Sequence, residues 1–278
     1  MRNIKIVADS SANISTLKTV CFSVAPLKIH TPEREFVDTE DLNMQDMMAY
    51  FDSYSGGSKT SCPNPSDWLE AFGDAEDIVC VTITSGLSGS YNAACAAKAM
   101  YEAEYPDRRV CVIDSLSAGP EPALIVEKLE EWIIEGVAYE ELGAMAEAYK
   151  ASTGLLFVLA SLKNFAANGR VSPSVAKIVG FLGIRIVGQA SDAGELEPLT
   201  KCRGEERSLE TVTTLLKKAG VCQGRVRIAH CQNETAALRL TEKIRREFPL
   251  ARVEIEECRG LCSYYAERGG LLIGFEKQ

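Results

Sequence analysis

Residues 82–94 read TITSGLSGSYNAA. Thr84, Ser85, Ser88 and Ser90 are interleaved there with Gly86 and Gly89, a density of hydroxyls beyond what a turn requires. A strand-like run, IVCVTI, precedes them and an alanine-rich helical run follows, so they sit where a strand hands over to a helix N-terminus. Free backbone N–H groups and the positive end of the helix dipole favour an anion at such a place. Asp9-Ser10-Ser11 and Asp114-Ser115 have the same form. Capping explains Asp9, Ser10 and Asp114 as readily as binding does. Between 84 and 90 the hydroxyls outnumber what capping uses.

The motifs narrow the anion. A phosphate loop needs G-x-x-x-x-G-K-[ST], and SGGSKTS (55–61) lacks both the spacing and a preceding strand. No G-x-G-x-x-G follows the first strand, which argues against a dinucleotide. A serine hydrolase elbow reads G-x-S-x-G, whereas GLSGS puts the second glycine directly after Ser88. His30 and His230 are the two histidines of the chain and the candidate bases. A small-molecule serine hydrolase or transferase would pair Ser88 with His230 or Asp114, although a lone histidine at a strand end is more often structural. A carboxylate held by hydroxyls and amides fits better. The ten cysteines contain no C-x-x-C pair, and most lie in apolar runs where a free thiol acts as a small hydrophobe. Cys258-x-x-x-Cys262 is too poor a set for a metal site. No metal or cofactor is expected.

These loops need a sheet to hold them. NIKIVADSSANI (3–14), DIVCVTITS (77–85) and RRVCVIDS (108–115) read as strands, with helices over 90–106 and 121–136. Strands alternating with helices predict a doubly wound parallel sheet, with ligands at the carboxyl ends of its strands. From 153 on the pattern changes to a hairpin turning at Asp192-Ala193-Gly194, a helix (205–220), a strand (225–231), a helix (233–249) and two closing strands, a split β-α-β pattern with a mixed sheet. The expected class is therefore α/β with two α/β domains, 1–152 and 153–278, and the ligand between them. Of 278 residues, 46% are hydrophobic and 25% charged, and the net charge of −9 argues against nucleic acid or an anionic membrane surface as partner. No run of about 18 apolar residues suits membrane insertion. MRNIKIVADS passes straight into a strand pattern, which predicts no secretory leader and a cytoplasmic protein.

Taken in order, VADSSANI, KTSCPNPSDWLEAF, TSGLSGSYNAA, VIDS, NGRVS, LGIRIV and KCRGEERSLE resemble the DegV family of bacterial fatty-acid-binding proteins, over nearly the whole chain. The resemblance implies two α/β domains with a long-chain fatty acid between them and no catalysis by the protein itself. In the FakB type, it also implies delivery of the acyl carboxylate to a fatty acid kinase for phospholipid synthesis. It assigns the carboxylate to Thr60 and Ser61 of T-S-x-P and to Ser88 and Gly89, with Ser85 beside them. Arg170 and Arg203 match family positions, as head-group or kinase contacts or as closers of the domain interface. Leu155, Leu156, Phe157, Phe165, Ile178, Phe181 and Leu182 are candidate walls of the lipid tunnel, and ordinary core packing explains them equally well. The chain departs from the family in three places. Tyr265 or Ala266 occupies the slot of a C-terminal histidine, SAGPEPALIV follows Asp114-Ser115 where the family is glycine-rich, and Arg185-Ile186-Val187 stands where Lys-Pro is frequent. A ligand-dependent regulator that changes its domain closure is a further reading.

Overall fold

The structure is a computed structural model and describes residues 3–171 and 183–277. Ile178, Phe181 and Leu182 lie outside the described residues. The first sheet is parallel throughout, in the order β2 (Cys21–Ala25), β1 (Ile4–Asp9), β6 (Asp77–Thr82) and β7 (Arg109–Asp114). Its side chains alternate between two helical layers, as period two requires. Ile6, Ala8, Val79 and Val81 pack on α4 (Pro120–Glu135) and α5 (Tyr139–Lys150), around Leu129, Trp132 and Leu142. Val7, Ile78 and Cys80 pack on α2 (Pro65–Phe72) and α3 (Ser90–Glu104), around Trp68, Phe72 and Tyr101. Helices on both faces make the sheet doubly wound, as expected from the strand and helix alternation.

The second sheet has six strands in the order β10 (Leu196–Arg203), β9 (Ile184–Ala190), β8 (Thr153–Leu159), β13 (Leu271–Glu276), β11 (Arg225–His230) and β12 (Arg252–Glu257). It is mixed, because β11 and β12 run parallel and the other neighbours antiparallel. β9 and β10 form the expected hairpin, closed by Gly194 N–H donating to Ser191 O. One face carries α7 (Glu205–Lys218) and α8 (Glu234–Glu247). The other meets a small antiparallel sheet, β4 (Glu35–Val37), β3 (Lys28–His30) and β5 (Lys59–Ser61), together with α1 (Met44–Ser53) and α9 (Gly260–Ala266). The sequence reading did not anticipate this small sheet, α1, α5 or α9. Three-residue strands carry too little period to be seen. A short α6 (Lys163–Ala167) follows β8.

Helix α4 joins the two sheets. While Ile125 and Leu129 pack on the parallel sheet, Glu127 and Glu131 pair with Arg225 and Arg227 of β11. At its start Thr153 Oγ1 donates to the buried Glu121 carboxylate at 2.7 Å. The backbones come close enough that a Cβ on Gly274 would stand 2.6 Å from Pro120 C and 2.7 Å from Glu121 N. At the other end of the interface Gly194, at φ +73°, would bring a Cβ to 2.0 Å from Thr84 Oγ1. The hairpin turn therefore rests directly on the 84–90 loop. All ten cysteines are free. Among the described residues no helix is long and apolar enough to cross a membrane, and no cluster of three or more His, Cys, Asp or Glu could hold a metal ion.

Gly274→Ala has backbone on its far side and no flexible side chain to yield. It should cost about 2 kcal/mol or more, lowering the melting temperature by about 4 °C or more for a chain of this size. A calorimetric melt within one degree of the parent's would show that α4 moves off the sheet freely. Gly194→Ala meets both strain and overlap, and should speed amide hydrogen exchange at 191–195 and in the 84–87 loop together. Acceleration in the hairpin alone would mean that the two loops do not support each other.

Candidate ligand-binding site

A cavity with about 880 Å³ of empty space, counted to its open mouth, lies between the small sheet, the six-stranded sheet and the 84–88 loop. Strand β8 explains its wall. Leu155, Phe157 and Leu159 line it, while Leu156 and Val158 point into the core beneath α7 and α8. Of the expected wall residues, Leu155, Phe157 and Phe165 thus reach the cavity and Leu156 does not. Leu27, Ile83, Leu196, Leu261 and Leu272 add to the apolar part, from five different elements and loops. Only Leu159 among the unforeseen residues had a signal in the sequence, the period of two running on from Leu155.

Thr60, Ser61, Ser88, Arg170 and Tyr265 all line the cavity, and Ser11, Thr84, Ser117, Gln189 and Glu195 line it as well. Thr60 Oγ1 lies 2.7 Å from the Tyr265 hydroxyl, and Thr60 N–H donates to Asn168 Oδ1 at 3.0 Å. Burial pushes the Tyr265 phenol up, so it stays a neutral hydroxyl in the slot read as the histidine position. Ala266, the other candidate for that slot, lines the cavity too. Arg170 Nε donates to Leu87 O at 3.1 Å and its Nη1 to Asn168 O at 2.6 Å. Arg170 is the cation among the described lining residues. Ser88 Oγ accepts from Ser90 N–H at 3.2 Å, at the start of α3, and Gly89 is the residue before the helix. A Cβ on Gly89 would stand 3.3 Å from Cys62 Sγ, and Cys62 also lines the cavity. Burial pushes the Cys62 thiol up, which keeps it protonated.

Three expected residues are absent from the lining, Gly89 beside it at the start of α3, and Ser85 and Arg203. Ser85 is exposed, and its N–H donates to the Asp114 carboxylate at 3.1 Å, outside the cavity lining. Arg203 is exposed at the end of edge strand β10 and borders a different surface groove with Lys201 and Arg207. A loop position close in sequence to Ser88 and a strand end far from the mouth cannot be told apart from lining residues without the packing.

The other hydroxyl loops build the support. Asp9 is fully buried and accepts from Ile83 N–H at 2.9 Å, Ser90 Oγ–H at 2.6 Å and both donors of Ser11. Burial pushes its carboxyl up, and these four donors pull it back. Asp114 accepts from Ser85 and Leu116 N–H, the capping use. His230 Nδ1 accepts from Asn233 N–H at 3.3 Å. Among the described residues, these hydrogen bonds of Ser88, His230 and Asp114 run to backbone rather than to one another. Arg170 and several neutral hydroxyls in a largely apolar lining, with Glu195 and Gln189 of the β9–β10 hairpin the remaining charged and amide groups among the described lining residues, suit a monoanionic head on an apolar tail.

The DegV family model, described as an uncharacterised protein family, matches residues 3–278. A DegV domain-containing protein of Streptococcus pneumoniae is 44% identical over 276 residues, which is 98% of this chain and 98% of that one. A DegV family protein of Eubacterium eligens, solved loaded with heptadecanoic acid, is 42% identical with a TM-score of 0.97, covering 99% of this chain and 100% of that one. The Fatty Acid Kinase (Fak) B3 protein of S. pneumoniae, solved loaded with linoleic acid, is 44% identical with a TM-score of 0.97 over the same shares. A Ruminococcus gnavus relative refined with vaccenic acid is 26% identical with a TM-score of 0.89, again covering 99% and 100%. In sequence over nearly its whole length, and in the two sheets that enclose the cavity, this chain belongs to the DegV family.

Proposed function

We propose that this protein is a non-catalytic carrier of one long-chain fatty acid, held between an N-terminal unit (1–152) and a C-terminal unit (153–278). The acyl chain fills the cavity and the carboxylate meets Ser88, Thr60, Ser61, Arg170 and Tyr265. The observation that carries this reading is the cavity itself, with a largely apolar lining that includes those five polar side chains. Two relatives at 42% and 44% identity hold heptadecanoic and linoleic acid in the same fold, which supports it. Burying about 14 methylenes at ~0.8 kcal/mol each offers roughly 11 kcal/mol before association and ordering costs. The chain thus supplies affinity, and the polar groups decide which end lies where.

The name of the S. pneumoniae Fak B3 protein extends the proposal to a partner, a fatty acid kinase that receives the bound carboxylate in the cytoplasm. Tyr265 and Thr60 give the head neutral hydroxyls rather than a titrating imidazole. The acyl group is then oriented here and activated elsewhere.

Extraction of the purified protein with organic solvent, followed by mass spectrometry, should release about one long-chain fatty acid per chain. An empty cavity, or a ligand without a carboxylate, would sink the carrier reading. Ser88→Ala should weaken fatty-acid binding about tenfold, the scale of a hydrogen bond to a charged group. Its stability should change by no more than about 1 kcal/mol, because the Ser88 hydroxyl supports a single loop amide. Unchanged affinity in a displacement titration would remove Ser88 from the head-group site.

A further inference from the structure

Ser61 ends β5 and has two environments. It lines the cavity, yet it shares a face of the small sheet with His30, Glu35 and Lys59, opposite to the face of Ile29, Thr60 and Phe36. Its Oγ lies 2.7 Å from His30 Nε2, and His30 Nδ1 lies 3.0 Å from Glu35 Oε2. The two contacts form a chain from the cavity to solvent, since the His30 and Glu35 side chains are 35% and 53% exposed.

Proton counting gives this chain a consequence. Carboxylate Oε2 of Glu35 only accepts, so Nδ1 carries hydrogen and donates to it. In neutral His30 the Nε2 lone pair then takes the single proton of Ser61 Oγ–H, and Ser61 offers the cavity nothing but lone pairs. In protonated His30, Nε2–H donates to Ser61 Oγ, and the Ser61 proton is released to donate to an anion. We infer that His30 and Glu35 are positioning residues for the ligand carboxylate, and that its recognition at Ser61 is linked to uptake of a proton by His30. This inference rests on the fatty-acid reading above.

The charges around His30 are Glu35 from β4, which favours the imidazolium, and Lys59 directly opposite on β5, which opposes it. Two residues along its own strand, Lys28 lies 3.5 Å from Asp67 of α2, and Glu33 accepts from the Tyr50 hydroxyl of α1. The sign follows. A carboxylate at Ser61 is donated to only when Nε2 carries hydrogen, so binding takes up a proton and weakens as pH rises, while a fatty acid stays ionised above pH ~6.

The test is a displacement titration of delipidated protein with a monomeric long-chain fatty acid from pH 6 to pH 8, on the parent, His30→Gln and Glu35→Gln. The parent should bind about fivefold more weakly at pH 8 than at pH 6, and calorimetry in two buffers of different ionisation heat should report proton uptake. His30→Gln should lose the pH slope, and Glu35→Gln should keep it with the fall moved to lower pH. The glutamate variant leaves His30 in place, so it carries the test if the histidine variant does not fold. Equal slopes in the parent and His30→Gln would overturn the linkage and leave the carrier reading standing. Absence of fatty-acid binding at every pH would overturn both. Labelling of Ser61 by a fluorophosphonate would also overturn the inference, because the same serine, imidazole and carboxylate would then be acting as a nucleophile and its base.

Discussion

The buried carboxylate of Asp9 is the contact on which the polar end of the cavity depends. It sits at the end of a central strand with no exposure to solvent, and its partners come from three separate pieces of chain: the turn at Ser11, the segment after β6 at Ile83, and Ser90 at the start of α3. A charge in such a place is tolerated only because its donors are already in position, so Asp9 holds them to one geometry. Ser88 lies between two of those anchors. Ser10 continues the connection by accepting from Leu27 N–H at 3.0 Å, and Cys262 Sγ–H donates to Ser11 O at 3.5 Å, tying in α9. A second buried carboxylate, Asp38, accepts from Gly260 and Leu261 N–H at the start of that helix. Tyr265 is therefore held toward the cavity from the N-terminal half of the chain.

The cavity follows from how the second sheet is covered. One face is closed by two amphipathic helices, and the other meets a sheet of three short strands with two helices. Strand β8 serves both faces by alternation, so the same run of five large apolar residues builds a filled core with two of them and a chamber wall with the other three. A close-packed interior leaves few voids larger than a water molecule. A largely apolar space lined from both sheets and left open at a mouth marks a place for a ligand. The wall is drawn from both halves of the chain, so a bound tail adds apolar contact between them.

The polar end works by geometry more than by charge. Arg170 has two of its donors on backbone carbonyls, which fixes the guanidinium at the cavity wall. Thr60 and Tyr265 hold each other. Hydroxyls arranged this way donate or accept according to what arrives, and the direction of each proton is set by the neighbour behind it. That is why His30, outside the lining, bears on the cavity through Ser61.

Local sequence pattern encodes the large elements. Apolar runs such as IVCVTI and helical faces such as Ile125, Leu129 and Trp132 encode strand and helix through local periodicity, and the hydroxyl-glycine loop marked a place for an anion. Ser88, Thr60, Ser61 and Arg170, which all line the cavity, stand in short motifs, and Tyr265 or Ala266 was marked only by the family histidine slot it occupies. The three-stranded sheet was not, because strands of three residues hold too few positions to show a period and are formed by pairing with partners up to about thirty residues away. Nor was the division of β8 between wall and core, since alternation says that two faces exist and not which one is left uncovered. Ser85 and Arg203 shared the motif signal and lie elsewhere, because proximity along the chain does not fix which way a loop or an edge strand faces. Only the tertiary structure put His30 behind Ser61 and gave Asp9 its donors, for hydrogen bonds between distant segments depend on how the chain folds back on itself.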